Sequence, residues 1–118
     1  MKTVVLGASS KPSRYAYLAV KSLQKHGHKV IPIGRKAQTV ENWEIYDGKP
    51  AIEDVHTVTL YLGAKNQTEY FDYLLKLKPQ RVIFNPGAEN DVLEEHLQEA
   101  GIETLQACTL VMLNTGQY

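Results

Sequence analysis

Five short apolar runs, rich in β-branched residues, recur along this chain at residues 3–6, 30–33, 57–62, 81–84 and 102–106. Runs of that length and content read as buried strands. The segments between them carry helical spacing. Ala16, Ala19, Val20 and Leu23 fall at i, i+3, i+4 and i+7, one face of a helix. Ser13 is a candidate N-cap for it, and Gly27 stands after His26 as a stop. Residues 68–77 form a second helix with Tyr70, Phe71, Leu74 and Leu75 facing inward, closed by Pro79. A third runs to Ala100, opened by a capping-box-like Asp91 and Glu94 and stopped by Gly101. The apolar residues 110–113 predict a short terminal helix. Residues 37–55 are the least periodic; with Trp43, the turn Asp47-Gly48 and Pro50 they read as an excursion holding at most a short helix or hairpin.

Strands alternating with helices require βαβ crossovers, hence a doubly wound α/β fold with a mostly parallel five-stranded sheet and helices on both faces. Right-handed crossovers bring the loops at the carboxyl ends of the strands to one edge. In open sheets of this kind a ligand sits at that edge, where the strand order reverses. The loops expected there are Gly7–Ser13, Gly34–Lys36, Gly63–Asn66, Asn85–Asn90 and the segment around Cys108.

Composition limits the partners. The 118 residues fit one domain, and 13 basic residues balance 13 acidic ones, which argues against a general nucleic-acid binder. A single cysteine excludes an internal disulfide and fits a reducing compartment. No apolar run reaches membrane-spanning length. The expectation is a soluble cytoplasmic protein, with the sequon at Asn66 unused. The four histidines form no ligand set, so no metal is expected.

The first loop carries the chemistry. A strand, a tight turn at Gly7 and a helix start near Arg14 present unpaired N–H groups and a favourable dipole to an anion. Gly7-Ala8-Ser9-Ser10-Lys11-Pro12 lacks two glycines of the strict dinucleotide fingerprint. It keeps one glycine, the hydroxyls of Ser9 and Ser10, and the cations Lys11 and Arg14. The alternative is an ordinary loop with solvated cations. The second loop, Gly34-Arg35-Lys36, stands where an NAD site carries an acid for the ribose. Two adjacent cations there suit a phosphorylated ribose, as in coenzyme A or NADP, or a solvated basic turn.

Val5-Leu6-Gly7-Ala8-Ser9 with Pro12 and Arg14, and residues 26–33, together resemble the opening of the small CoA-binding-domain proteins, stand-alone relatives of the nucleotide-binding domain of the succinyl-CoA synthetase alpha subunit. Glu44 to Ile52 is similar to that family's glycine-containing hairpin, and the resemblance continues through Val82 to Asn90, Ala100-Gly101-Ile102 and Cys108. It spans nearly the whole chain. It implies a Rossmann-like fold binding coenzyme A. The first loop (Gly7, Ala8, Ser9, Ser10, Lys11, Arg14) would hold the pyrophosphate. Gly34, Arg35 and Lys36 would take the 3′-phosphate end. Gly63 with Asn85, Pro86, Gly87 and Asn90 would line the pantetheine path.

The leading expectation is a module that binds CoA or acyl-CoA without catalysis of its own. Its rivals are an NADP-binding oxidoreductase-like subunit and a Rossmann-scaffold interaction module that has lost its nucleotide. A homodimer or another protein partner is compatible with each. Cys108 is expected to be a buried structural thiol. Asn90 is left between capping a helix and reaching a ligand. Tyr15 and Tyr17 are left between covering an adenine and packing, with packing favoured for Tyr17.

Overall fold

The computed structural model describes residues 1–118. The chain runs β1 (Lys2–Leu6), α1 (Tyr15–Lys25), β2 (Lys29–Ile33), β3 (Gln38–Val40), β4 (Trp43–Ile45) and β5 (Thr57–Leu60). It continues with α2 (Ala64–Gln67), a 3-10 turn (Thr68–Tyr70), α3 (Phe71–Leu77), β6 (Arg81–Phe84), α4 (Asp91–Glu99), β7 (Glu103–Gln106) and α5 (Thr109–Asn114). No helix is long and apolar enough to cross a membrane.

The main sheet is parallel throughout, in the order β2-β1-β5-β6-β7. The fold is the Rossmann-like α/β architecture, with the order reversing between β1 and β5. Period-two alternation divides the strands between two cores. Val4, Leu6, Val58, Leu60, Val82 and Phe84 face Leu74, Leu93 and Leu97 from α3 and α4. On the other face Val5 packs with Ala16, Tyr17, Val20 and Leu23 of α1 and with Leu113 of α5. The helical face anticipated for α1 is therefore buried as a unit. Pro32 is accommodated because β2 is an edge strand.

The structure corrects several local expectations. Arg14, not Ser13, occupies the N-cap of α1, and no side chain caps that helix. The helix expected over residues 68–77 starts earlier and is interrupted by the 3-10 turn. That interruption rotates its face, so Tyr73, Leu74 and Leu77 are buried while Tyr70, Phe71 and Leu75 are half-buried. Asn90 caps α4 one residue ahead of the anticipated box. Glu94 turns instead to β7, accepting from the Thr104 hydroxyl at 2.8 Å and the Gln106 amide at 3.0 Å. The excursion is a hairpin, but its tip is Glu41-Asn42 rather than Asp47-Gly48, because Val40 pairs with Trp43. Cys108 is half-buried, at the N-cap of α5.

Candidate functional site

A cleft of about 660 Å³ opens at the carboxyl edge of the sheet, over the β1/β5 reversal. Two close approaches shape it. Gly7 adopts φ +96, and a Cβ there would lie 3.1 Å from the Tyr61 carbonyl carbon and 3.2 Å from the Leu62 side chain. A Cβ on Gly34 would stand 2.8 Å from the Ala8 carbonyl oxygen and 2.9 Å from Ile45. The loops after β1, β2 and β5 thus meet at distances only glycine permits. The N–H groups of Gly7 and Ala8 both donate to the Ile33 carbonyl, each at 2.9 Å. The second loop is tied to β4's end by Gly34 N–H to Tyr46 O at 2.8 Å and Tyr46 N–H to Pro32 O at 2.9 Å.

With Gly7 and Ala8 committed, the free donors lie further along. The N–H groups of Ser9, Ser10, Tyr15, Ala16 and Tyr17 have no acceptor within the protein. The Ser9 hydroxyl oxygen accepts from the Lys11 N–H at 3.1 Å, which leaves its own hydrogen free to donate. Lys11, Arg14, Arg35 and Lys36 all line the cleft, and no carboxylate does. None of these cations is paired, since the sole ion pair joins Lys21 to Glu41. An uncapped helix start, free donors and unopposed cations make an environment for a multiply charged anion.

Of the residues singled out in the sequence, Gly7, Ala8, Ser9, Ser10, Lys11, Arg14, Gly34, Arg35, Lys36, Pro86 and Gly87 line this one cleft. Gly63, Asn85 and Asn90 stand outside its wall and hold its frame. Gly63 is the N-cap of α2. Asn85 is buried; its amide donates to Thr59 Oγ1 at 2.6 Å and Leu60 O at 2.8 Å, and accepts from the Thr109 N–H at 2.9 Å. Asn90 accepts from the Leu93 N–H at 3.1 Å and donates to Gln67 Oε1 at 3.0 Å. Gln67, fully buried, passes its own amide hydrogens to Leu62 O and Ala88 O, each at 2.7 Å. That bridge holds the β5 and β6 loops together.

The cleft also contains residues not expected at a ligand: Gln38, Tyr61, Leu62 and Ala88, together with Ala16 and Tyr70, which the sequence assigned only to helix faces. Aromatic residues at the ends of strands were the available signal for Tyr61. Burial pushes its hydroxyl up to about 12; the nearby hydroxyls of Thr109 and Thr59 lower it without meeting hydrogen-bond geometry. Tyr61 is thus neutral near pH 7. Tyr70 is raised chiefly by burial, with Glu69 adding and the Arg35 charge opposing. Tyr15 stands 72% exposed on the rim, whereas Tyr17 is packed under the hairpin against Trp43.

No match was found among curated proteins. A solved structure of an uncharacterized protein is similar at 53% identity, with a TM-score of 0.96 over 99% of this chain and 97% of that one. A protein from Thermus thermophilus shares 24% identity at a TM-score of 0.84, covering 99% of this chain and 90% of the other. The dinucleotide forming acetyl-coenzyme A synthetase 1 of Ca. Korarchaeum cryptofilum, solved with phosphate and ADP, shares the fold at 20% identity and a TM-score of 0.70. That likeness covers 90% of this chain and 25% of the synthetase chain. Residues 1–114 match the model of the CoA binding domain, and the chain belongs to that family.

Proposed function

We propose that this chain binds coenzyme A, or an acyl-CoA, in the carboxyl-edge cleft and performs no chemistry of its own there. The observation that carries the reading is the cleft's charge. Lys11, Arg14, Arg35 and Lys36 converge on it with no carboxylate among the lining residues.

In this reading the pyrophosphate sits at the start of α1. It accepts from the free N–H groups of Ser9, Ser10, Tyr15 and Ala16, while Lys11 and Arg14 offset its charge. Hydrogen bonds to a charged group contribute about 1.5–3 kcal/mol each. Arg35 and Lys36 take the ribose 3′-phosphate. Pro86 and Gly87 border the pantetheine arm, and Gly63, Asn85 and Asn90 keep that border in place from behind.

The test is thermal unfolding with CoA, dephospho-CoA, NADP and NAD at equal millimolar concentrations. A ligand that binds only the folded state stabilises it by about 2.7 kcal/mol at a hundredfold excess over Kd. CoA is expected to stabilise most and dephospho-CoA less. The double variant Arg35→Ala/Lys36→Ala is expected to erase that difference. A difference that survives the double variant removes the 3′-phosphate from these residues. A larger shift with NADP transfers the cleft to a dinucleotide, and no shift with CoA overturns the reading.

A further inference from the structure

The hairpin β3–β4 has two features that oppose its docked position. Its tip is two residues long, and Glu41 stands there at φ +52. That left-handed backbone suits glycine, asparagine or aspartate and disfavours glutamate. Trp43 is 6% exposed, and its indole N–H is buried without an acceptor. Each feature costs free energy that other contacts must exceed.

Two kinds of contact do so. Val40, Trp43 and Ile45 bury against Ala16, Tyr17 and Val20. Such packing is non-directional, and the backbone ties of Tyr46 to Gly34 and Pro32 anchor the far end of β4 but not the tip. Glu41 supplies the direction. Its carboxylate accepts from the Tyr17 hydroxyl at 2.9 Å and from the Lys21 ammonium at 2.6 Å. Tyr17 and Lys21 are one turn apart on one face of α1, so both donors reach the same group. The Tyr17 ring also meets Trp43, with centroids 5.8 Å apart and planes inclined at 53°.

The opposite end of β3 is Gln38, which lines the cleft two positions after Lys36. Glu41 lies three residues beyond, roughly 10 Å along the strand, and does not line the cleft. We propose that Glu41 is a positioning residue for the cleft. Its clasp on Tyr17 and Lys21 fixes the hairpin on α1, and so holds Arg35, Lys36 and Gln38 at a set distance from the helix start. Glycine would relax the backbone but carries no carboxylate, and aspartate carries one on a side chain one methylene shorter. The choice of CoA as probe rests on the function proposed above; the clasp itself does not.

Glu41→Gly separates the two roles, since it relaxes the tip and removes the clasp. Its melting temperature is expected to stay within about 3 °C of wild type, the relaxed turn offsetting the lost contacts. CoA affinity is expected to fall roughly three- to tenfold, the scale of an exposed ion pair with one added hydrogen bond. Acrylamide quenching of Trp43, the sole tryptophan, is expected to rise. Tyr17→Phe keeps the ring and loses one donor, for a smaller effect, and Glu41→Gln recovers part of the affinity. Wild-type affinity with unchanged quenching in Glu41→Gly overturns the proposal. So does a fall in melting temperature that matches the loss of binding. If wild type itself fails to bind CoA, the functional reading fails. Trp43 quenching then decides the clasp alone: a rise supports it and no change overturns it.

Discussion

Helices α1 and α4 both begin at the carboxyl edge of the sheet, and their first turns are finished differently. Asn90 caps α4 by accepting from the Leu93 N–H, and Asp91 and Glu94 place acids in its first turn. The positive end of α4 is thereby answered from within its own chain. Helix α1 has Arg14 at the N-cap, no side-chain cap and no acid in its first turn. Lys11 adds another cation beside it. The lesson is that a helix start becomes a place for an external anion when the chain withholds its own cap and adds positive charge.

The largest effect is expected from making α1 resemble α4. Arg14 has the extended backbone of an N-cap, φ −84 and ψ 140, which suits aspartate. Arg14→Asp is expected to stabilise the protein by about 1 kcal/mol through the new cap. It is expected to weaken CoA about a hundredfold, or about 2.7 kcal/mol, by reversing a charge and occupying donors. Urea unfolding and calorimetric titration read the two effects separately. Unchanged CoA affinity would break the comparison.

Next comes the brace between the loops. Gln67→Ala leaves Leu62 O, Ala88 O and the Asn90 amide without their partner. A loss of about 2–3 kcal/mol in urea unfolding is expected. Asn90→Ala opens the start of α4 without adding cations. It is expected to cost about 1 kcal/mol of stability and leave CoA affinity within about twofold of wild type. An equal loss of CoA affinity in Asn90→Ala would mean that Asn90 reaches the ligand, and the contrast between the two helices would then narrow.

The smallest effect concerns the amino edge of the sheet, where cations are spent internally. Arg81 is 8% exposed; its Nε donates to Thr57 Oγ1 at 2.8 Å, and its guanidinium lies 4.4 Å from the centre of the Tyr118 ring. Thr57 is then free to donate to unprotonated His56 Nδ1, 2.7 Å away. Burial first, and then the charges of Arg81 and the α-amino group, hold His56 below its ordinary value of 6.5, while Glu103 opposes them. His28 is lowered by burial and by the same α-amino group, with His26, Arg81 and His56 adding to the effect. For a histidine whose folded pKa is depressed, the fold favours the neutral form. That stability is present above the unfolded value and is lost as pH falls through the folded one. Melting temperature is therefore expected to decline below about pH 6.5. His56→Gln is expected to flatten part of the decline and leave the part due to His28. An unaltered profile would place the acid sensitivity elsewhere.

The legible parts of this protein were those written in short-range pattern. The β-branched runs became strands within one or two residues of the expected bounds, and Ala16, Ala19, Val20 and Leu23 became one buried face. The basic loops at Lys11–Arg14 and Arg35-Lys36 met in one cleft because parallel crossovers leave them no other edge. The capping residues were less legible. Ser13 and Arg14 differ by one position, and which of them ends the extended backbone depends on the turn before it. The aromatic wall was less legible: Tyr61 follows a strand, where tyrosines serve cores as readily as clefts, and helical spacing assigned Tyr70 to the core.

The sequence by itself determined the class of fold, the parallel order of loops along one edge and the positive character of the first two, because strand and helix periods are local and charge is a property of residue type. Tertiary structure alone decided which polar side chains face the cleft and which build its frame. Asn85 and Gln67 carry amides as able to meet a ligand as any in the chain. Thr59 and Thr109 claim the first, and Leu62, Ala88 and Asn90 claim the second. Glu41 likewise meets Tyr17 and Lys21 only after the hairpin folds back onto α1. A hydrogen bond takes a partner's direction as well as its identity, and direction is set by segments twenty or more residues away.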